Sequence, residues 1–225
     1  MERRSVLALC GCACSISLPR EVSALAEIVR QPSEAMYDVS RNALQDMGFA
    51  RGMATGMKSY ENAVEPVKSR LFSRLLAELP SSNAVVIELG MGSFPNAKYY
   101  ASGPAALDIV GVDPNDSMPK YGTVGPEVAV LRRRGYSLRE IHGVAESLPL
   151  ADGSADAVVC TLTLCSVTDP VRSLAEVRRV LKPGGQFLFL EHVLSETDAG
   201  LAAQQVSRSL APSHRACPEP LAGVL

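Results

Sequence analysis

AVVIELGMGSFPN, residues 84–96, sets an unbroken apolar run against a turn built on glycine. Val85, Val86 and Ile87 are β-branched, and no polar residue alternates with them. A strand with that pattern is buried on both faces, as in a parallel sheet covered by helices. Glu88 closes the run, and Gly90 and Gly92 follow it. Lacking Cβ, they let the backbone turn sharply and approach a ligand closely. A third glycine would continue the pattern, but Phe94 and Pro95 stand there instead.

Further runs of the same kind follow. ALDIVGV (106–112), LREIHGV (138–144), ADAVVCTL (155–162) and QFLFLEHV (186–193) are predicted strands. Helical patterns precede and separate them. VEPVKSRLFSRLLAEL (64–79) places Val67, Leu71, Phe72, Leu75, Leu76 and Leu79 on one stripe, and Pro80 ends it. Asp169 and Pro170 open a second helix, with Val171, Leu174, Ala175 and Leu181 expected on its buried stripe and Arg178 at the stripe's edge; Lys182-Pro183-Gly184-Gly185 stops it. Strands alternating with helical segments imply a doubly wound, Rossmann-like α/β parallel sheet.

Ligands of such sheets bind beyond the carboxyl ends of the strands. Asp113 stands at the tip of the second strand, 21 residues after Gly92. An acid at that offset can accept the hydroxyls of a ribose. Ala145 and Glu146, after the third strand, are placed to line a base pocket.

With these stations in order, the chain resembles the class I S-adenosylmethionine-dependent methyltransferases. The resemblance runs through VVIELGMGS, VGVDPN, GVAESLPLADGSADAVVCTLTLCSV and EVRRVLKPGGQFLFLEHV. Within that superfamily it looks most like the methyltransferase-like 7 group and its plant relatives, which carry a type 11 methyltransferase domain. It is similar at longer range to the quinone-biosynthesis methyltransferases. The resemblance implies S-adenosylmethionine as cofactor and a small acceptor, a thiol or a lipophilic ring compound. It assigns Glu88, Gly90 and Gly92 to the cofactor loop and Asp113 to the ribose. Ala145 would offer its N–H to the adenine with Glu146 beside it, and Thr161 and Leu162 would lie near the sulfonium. Val144 replaces an Asp that many relatives use for the adenine amino group.

No catalytic residue is assigned, because the cofactor carries the reactivity and the protein mainly aligns the reactants. Glu191 and His192 are the candidate bases, and Cys165 is a nucleophile that methyl transfer does not need. Met36, Met47, Met53 and Met57 offer adaptable thioethers that could cover an apolar acceptor. Two rival readings share the layout: an inactive or partial cofactor-binding form, and, more remotely, an NAD-binding oxidoreductase.

The remaining features bound the partners. A net charge of −2 gives no reason to expect nucleic acid. The six cysteines show no CxxC and no zinc-like spacing, so free thiols and no metal are expected. Arg3 and Arg4 precede an uncharged run from Ser5 to Leu18, with Ala24-Leu25-Ala26 beyond. This pattern fits a twin-arginine-like export signal, a membrane-associating N-terminus, or a segment packed or disordered at the start of the chain. A signal would direct the chain to an organelle, the chloroplast or its thylakoid lumen; without one the chain would stay in the cytoplasm. The expected layout is a targeting segment over 1–26, a helical region over 27–82, the cofactor-binding domain over 83–195, and an irregular tail over 196–225. The resembled family continues past its fifth strand with a helix and an antiparallel strand pair, and no such pattern is legible here. QFLFLEHV would then be an apolar edge strand that something should cover: a partner chain, the residual tail or a longer form of the protein.

Overall fold

The structure is a computed structural model and describes residues 34–38, 42–80, 83–104 and 106–193, with the backbone of 219–224. The targeting segment and Cys10, Cys12, Cys14 and Cys217 lie outside the described residues.

Three helices come first: α1 (Glu34–Tyr37), α2 (Ala43–Gly56) and α3 (Lys58–Glu78). Asn42 caps α2, its Oδ1 accepting the N–H groups of Leu44 and Gln45 at 3.0 and 3.3 Å. Then follow β1 (Val85–Leu89), α4 (Ala97–Tyr100), β2 (Asp108–Asp113), α5 (Pro119–Gly122), α6 (Pro126–Arg133) and β3 (Ser137–His142). The chain continues through β4 (Ala155–Thr161), α7 (Pro170–Val180), β5 (Leu181–Val193) and β6 (Glu219–Val224).

The strands form one sheet in the order β3-β2-β1-β4-β5-β6. The first five are parallel, and chain order reverses between β1 and β4. One face packs Val86, Ile109, Val159 and Leu188 against Phe72 and Leu75 of α3, Tyr100 of α4 and Leu131 of α6. The other packs Ile87, Val110, Val158 and Phe187 against Val177 and Val180 of α7 and the loop residues Leu148 and Leu150. β1 is buried at all five positions, as its apolar run requires.

Three expectations need correction. The fifth strand is not an edge: β6 runs antiparallel to it, from Leu188 opposite Val224 to Val193 opposite Glu219. Residues 219–224 are therefore a strand rather than irregular tail, and of the coverings expected for the fifth strand it is the tail that supplies one. Pro220 conceals this strand in the sequence, yet proline is admissible on an edge strand, where its missing N–H has no second neighbour to serve. Lys182–Gly185 falls within β5 rather than between helix and strand, and the register against β4 slips there, from Ala155 opposite Leu181 to Ala157 opposite Gln186. On α7 the buried side is Ser173, Glu176, Val177 and Val180, while Val171 and Leu174 are exposed. Polar contacts set that phase: Glu176 accepts the Leu148 N–H at 2.9 Å and pairs with Arg179 at 2.7 Å.

No helix among the described residues is long and apolar enough to cross a membrane.

Candidate active site

A cavity of about 330 Å³ opens at the carboxyl ends of β1, β2 and β4, beside the point where strand order reverses. Gly90, Gly92, Asp113, Ala145 and Glu146 all line it. Five of the seven predicted site residues are thus brought to one hollow. Tyr37, Phe49 and Met53 line it from α1 and α2. Of the four methionines expected near an acceptor, Met53 alone lines it; Met36 and Met47 are exposed, and Met57 joins α2 to α3.

The loop after β1 is held from two sides. The Gly90 N–H donates to Val112 O at 2.8 Å, and the Gly92 N–H donates to Asp113 Oδ2 at 3.1 Å. Gly90 has φ +58°, and a Cβ there would fall 2.5 Å from Thr163 Oγ1. Only glycine fits that position. Asp113 also accepts the Asn115 N–H, through Oδ1 at 2.8 Å.

Phe94, at the third glycine position, keeps the left-handed backbone with φ +55°. Its ring turns away from the cavity into the α4 side of the core, 5.8 Å from the Tyr100 ring. Replacing it sets two effects against each other. Removing a buried phenylalanine costs about 3–5 kcal/mol, and relieving a left-handed backbone returns roughly 1–2 kcal/mol. Phe94→Gly should therefore destabilise the fold by about 2 kcal/mol in urea denaturation, and a gain in stability would show that backbone strain dominates here.

Glu88 and Thr161 do not line the cavity, a correction to their expected role. Glu88 is 1% exposed; Oε1 accepts Asn96 Nδ2 at 2.6 Å and Oε2 accepts the Tyr100 hydroxyl at 2.8 Å. Asn96 also donates to Thr161 Oγ1 at 3.1 Å. Alternation along β1 explains this: Ile87 and Leu89 face α7, so Glu88 faces α4 with Val86. Burial pushes the Glu88 carboxyl up to about 7 against the lowering effect of its two hydrogen bonds.

Glu146 contributes to the cavity wall while its carboxylate is committed elsewhere. Oε1 accepts the N–H groups of Thr168 and Asp169 at 2.5 and 3.2 Å, bracing the entry to α7. Val144 lines the cavity as well and makes that part of its wall apolar.

Several contacts escaped sequence reasoning. His142, at the end of β3, bonds Asp38 beside α1 through Nε2 and Asp116 through Nδ1, both at 2.8 Å. Burial lowers its basicity, but the two carboxylates outweigh that and hold the imidazole above its ordinary range. Asn115 Nδ2 donates to Asp46 O of α2 at 3.0 Å. Together these contacts pin α1 and α2 over the cavity. Glu140, on β3, is pushed up to about 7 by burial and then by the charges of Asp113 and Glu88. These partners lie far apart in the chain, so no local pattern announces them.

Another wall of the cavity is the loop after β4. Leu162 adopts φ +58°, and Thr163 Oγ1 donates to Leu89 O at 2.9 Å. Glu191 holds that loop through one oxygen: Oε1 accepts from Thr163 N at 2.9 Å, Leu164 N at 3.1 Å and Cys160 Sγ at 3.2 Å.

Comparison with known proteins agrees with this geometry. A family described as a methyltransferase domain matches residues 87–189. Thiol S-methyltransferase TMT1B of Rattus norvegicus is 42% identical over 138 residues, covering 60% of this chain and 54% of that protein. Thiol S-methyltransferase TMT1A of Homo sapiens is 38% identical over 139 residues, covering 61% and 54%. The chain spans about half the length of these curated relatives. Among solved structures, a protein of Methanococcus maripaludis assigned to the S-adenosyl-L-methionine-dependent methyltransferases superposes with TM-score 0.54. It is 18% identical, covering 68% of this chain and 66% of that one, a likeness of fold.

Proposed function

We propose that this chain, whose residues 87–189 match a methyltransferase domain, binds S-adenosylmethionine and methylates a small thiol. The observation that carries the reading is the convergence of Gly90, Gly92, Asp113 and Ala145 on one cavity at the strand-order reversal. The residues present suit the cofactor. A Cβ at Gly90 would collide with Thr163 on the cavity wall, so glycine lets the loop lie that close, and Asp113 offers two carboxylate oxygens at a strand tip.

Asp113 would take the ribose hydroxyls, Ala145 the adenine edge through its N–H, and the Gly90–Gly92 backbone the methionine end. When bound, the cofactor supplies an electrophilic methyl group on a sulfonium. The chain's own task is then alignment and exclusion of water. Tyr37, Phe49 and Met53 cover the cavity with apolar and amphipathic surface, which favours a lipophilic acceptor over a charged one. The TMT1 relatives are named for thiol methylation, and that supports a thiol over a ring carbon or oxygen.

The test has two stages. Calorimetry should show adenosylhomocysteine binding, and NADH should show none. Incubation with S-adenosylmethionine and matched alkyl thiol, phenol and amine should yield the methyl thioether alone, read by mass spectrometry. Absence of adenosylhomocysteine binding would sink the reading. A second reading, cofactor binding without transfer, is separated from the first by the same assay. Binding with no methylated product from any acceptor would select it.

A further inference from the structure

His142 stands between two carboxylates from different parts of the chain. Its Nε2 lies 2.8 Å from Asp38 Oδ2, beside the end of α1, and its Nδ1 lies 2.8 Å from Asp116 Oδ1, after β2. A neutral imidazole carries one N–H, so it can donate to only one of them and turns a lone pair to the other. The imidazolium donates through both nitrogens and satisfies both. The two partners differ in shelter: the Asp38 side chain is 27% exposed and the Asp116 side chain 82%. Water screens the Asp116 pair, so the contact to Asp38 carries most of the hold.

That contact closes one side of the cavity. Tyr37, next to Asp38 in the chain, lines the cavity, and so do Gly143 and Val144, next to His142. The imidazole therefore joins the end of α1 to the end of β3 with the cavity beside the joint. A second joint is uncharged and does not titrate: buried Asn115 donates to Asp46 O of α2 at 3.0 Å. Asp113, the register neighbour of His142 on β2, is turned to the N–H groups of Gly92 and Asn115. The Glu140 carboxylate, two residues earlier on β3, lies against Gly122 of α5. Asp38 and Asp116 are the charges that act on the imidazole among the described residues.

We propose that His142 and Asp38 form a pH-dependent latch: the imidazolium holds the end of α1 closed against the cavity and slows departure of the adenosyl ligand, and loss of its proton releases it. The latch acts on the ligand proposed above and so rests on that reading. Burial lowers the basicity of the imidazole, but the two carboxylates outweigh it and hold the group above its ordinary 6.5. Closure is therefore firmest below pH 6.5, where the imidazole is charged whether latched or free. It is lost as pH rises through the raised value, where the latched imidazole gives up its proton. Opening of such a cover sets the pace of ligand exchange in many enzymes.

The test follows adenosylhomocysteine leaving the full chain at pH 6 and pH 8.5, by surface plasmon resonance. Glu88 and Glu140 also titrate in this window, so the comparison is with His142→Gln, which keeps a donor and has no proton to lose there. The ratio of release rates between the two pH values should be about three- to fivefold larger in wild type than in His142→Gln, the size of a partly exposed ion pair. Asp38→Asn should release the ligand at pH 6 about as fast as wild type does at pH 8.5, while Asp116→Asn should change the rate less than about twofold. Hydrogen exchange over residues 43–56, corrected for the intrinsic rate at each pH, reads closure without a ligand. Protection there should fall further between the two pH values in wild type than in His142→Gln. Equal pH ratios of release in the two chains would overturn the proposal. A wild-type chain that binds no adenosylhomocysteine would overturn the cofactor reading, and equal protection in the two chains would then overturn the latch as well.

Discussion

Asp113→Ala should lower the affinity for adenosylhomocysteine by about 100- to 1,000-fold, measured by calorimetry on the purified chain. Hydrogen bonds to a charged group are worth about 1.5–3 kcal/mol each, and a ribose presents two hydroxyls to one carboxylate. Each tenfold in affinity is about 1.4 kcal/mol, so two such bonds at the lower end of that range, about 3–4 kcal/mol together, account for the expected loss. The structure adds a second contribution. Asp113 Oδ2 accepts the Gly92 N–H and Oδ1 the Asn115 N–H, so the same side chain shapes the loop and anchors the turn under α2. Each carboxylate oxygen has further acceptor capacity, so the ribose can bind without displacing those contacts. Asp113→Asn keeps one oxygen and should lose only about tenfold. A loss under threefold for the alanine variant would take Asp113 out of the ligand's reach.

Much of this arrangement is legible in the sequence because parallel strands advertise themselves. AVVIEL and ADAVVCTL are apolar throughout, and chain order places their carboxyl ends where ligands bind. Gly90, Gly92, Asp113, Ala145 and Glu146 could be placed from that rule alone. What the rule does not supply is the face. Glu88 and Thr161 sit at strand ends yet turn beneath the loop, because side chains alternate across the sheet. A continuous apolar run conceals that alternation, since both faces are buried. The phase of α7 fails for a related reason. Its buried side includes Ser173 and Glu176, whose partners Asp169 and Leu148 satisfy them, so hydrophobicity alone points to the wrong stripe. β6 hides behind Pro220 and Gly223, residues that read as turn until a neighbouring strand pairs with them. The His142 contact to Asp38 spans 104 residues and leaves no local trace.

The last prediction concerns Glu88, where burial at the centre of the sheet is set against charge. Its carboxyl is pushed up to about 7 from a reference of 4.5, chiefly by burial, with Tyr100 and Asn96 opposing the shift. Below pH 4.5 the group is protonated in both folded and unfolded chains and costs nothing. Between 4.5 and 7 the unfolded chain releases the proton and the folded chain retains it, so stability falls as pH rises. The loss is complete above 7 and amounts to about 3 kcal/mol, at 1.36 kcal/mol per pKa unit. Glu140, pushed up to about 7 by burial and by Asp113 and Glu88, acts in the same direction. Paired carboxylates elsewhere, such as Asp156 with Lys182, need not follow that slope. The informative quantity is therefore the difference between wild type and Glu88→Gln, which cannot ionise. Urea denaturation at pH 5 and pH 8 should show the wild type losing about 2–3 kcal/mol more than the variant between the two conditions. At pH 8 the variant should be the more stable of the two. The same dependence in both chains would mean that Glu88 stays ionised in the fold, held by Tyr100 and Asn96 strongly enough to defeat its burial.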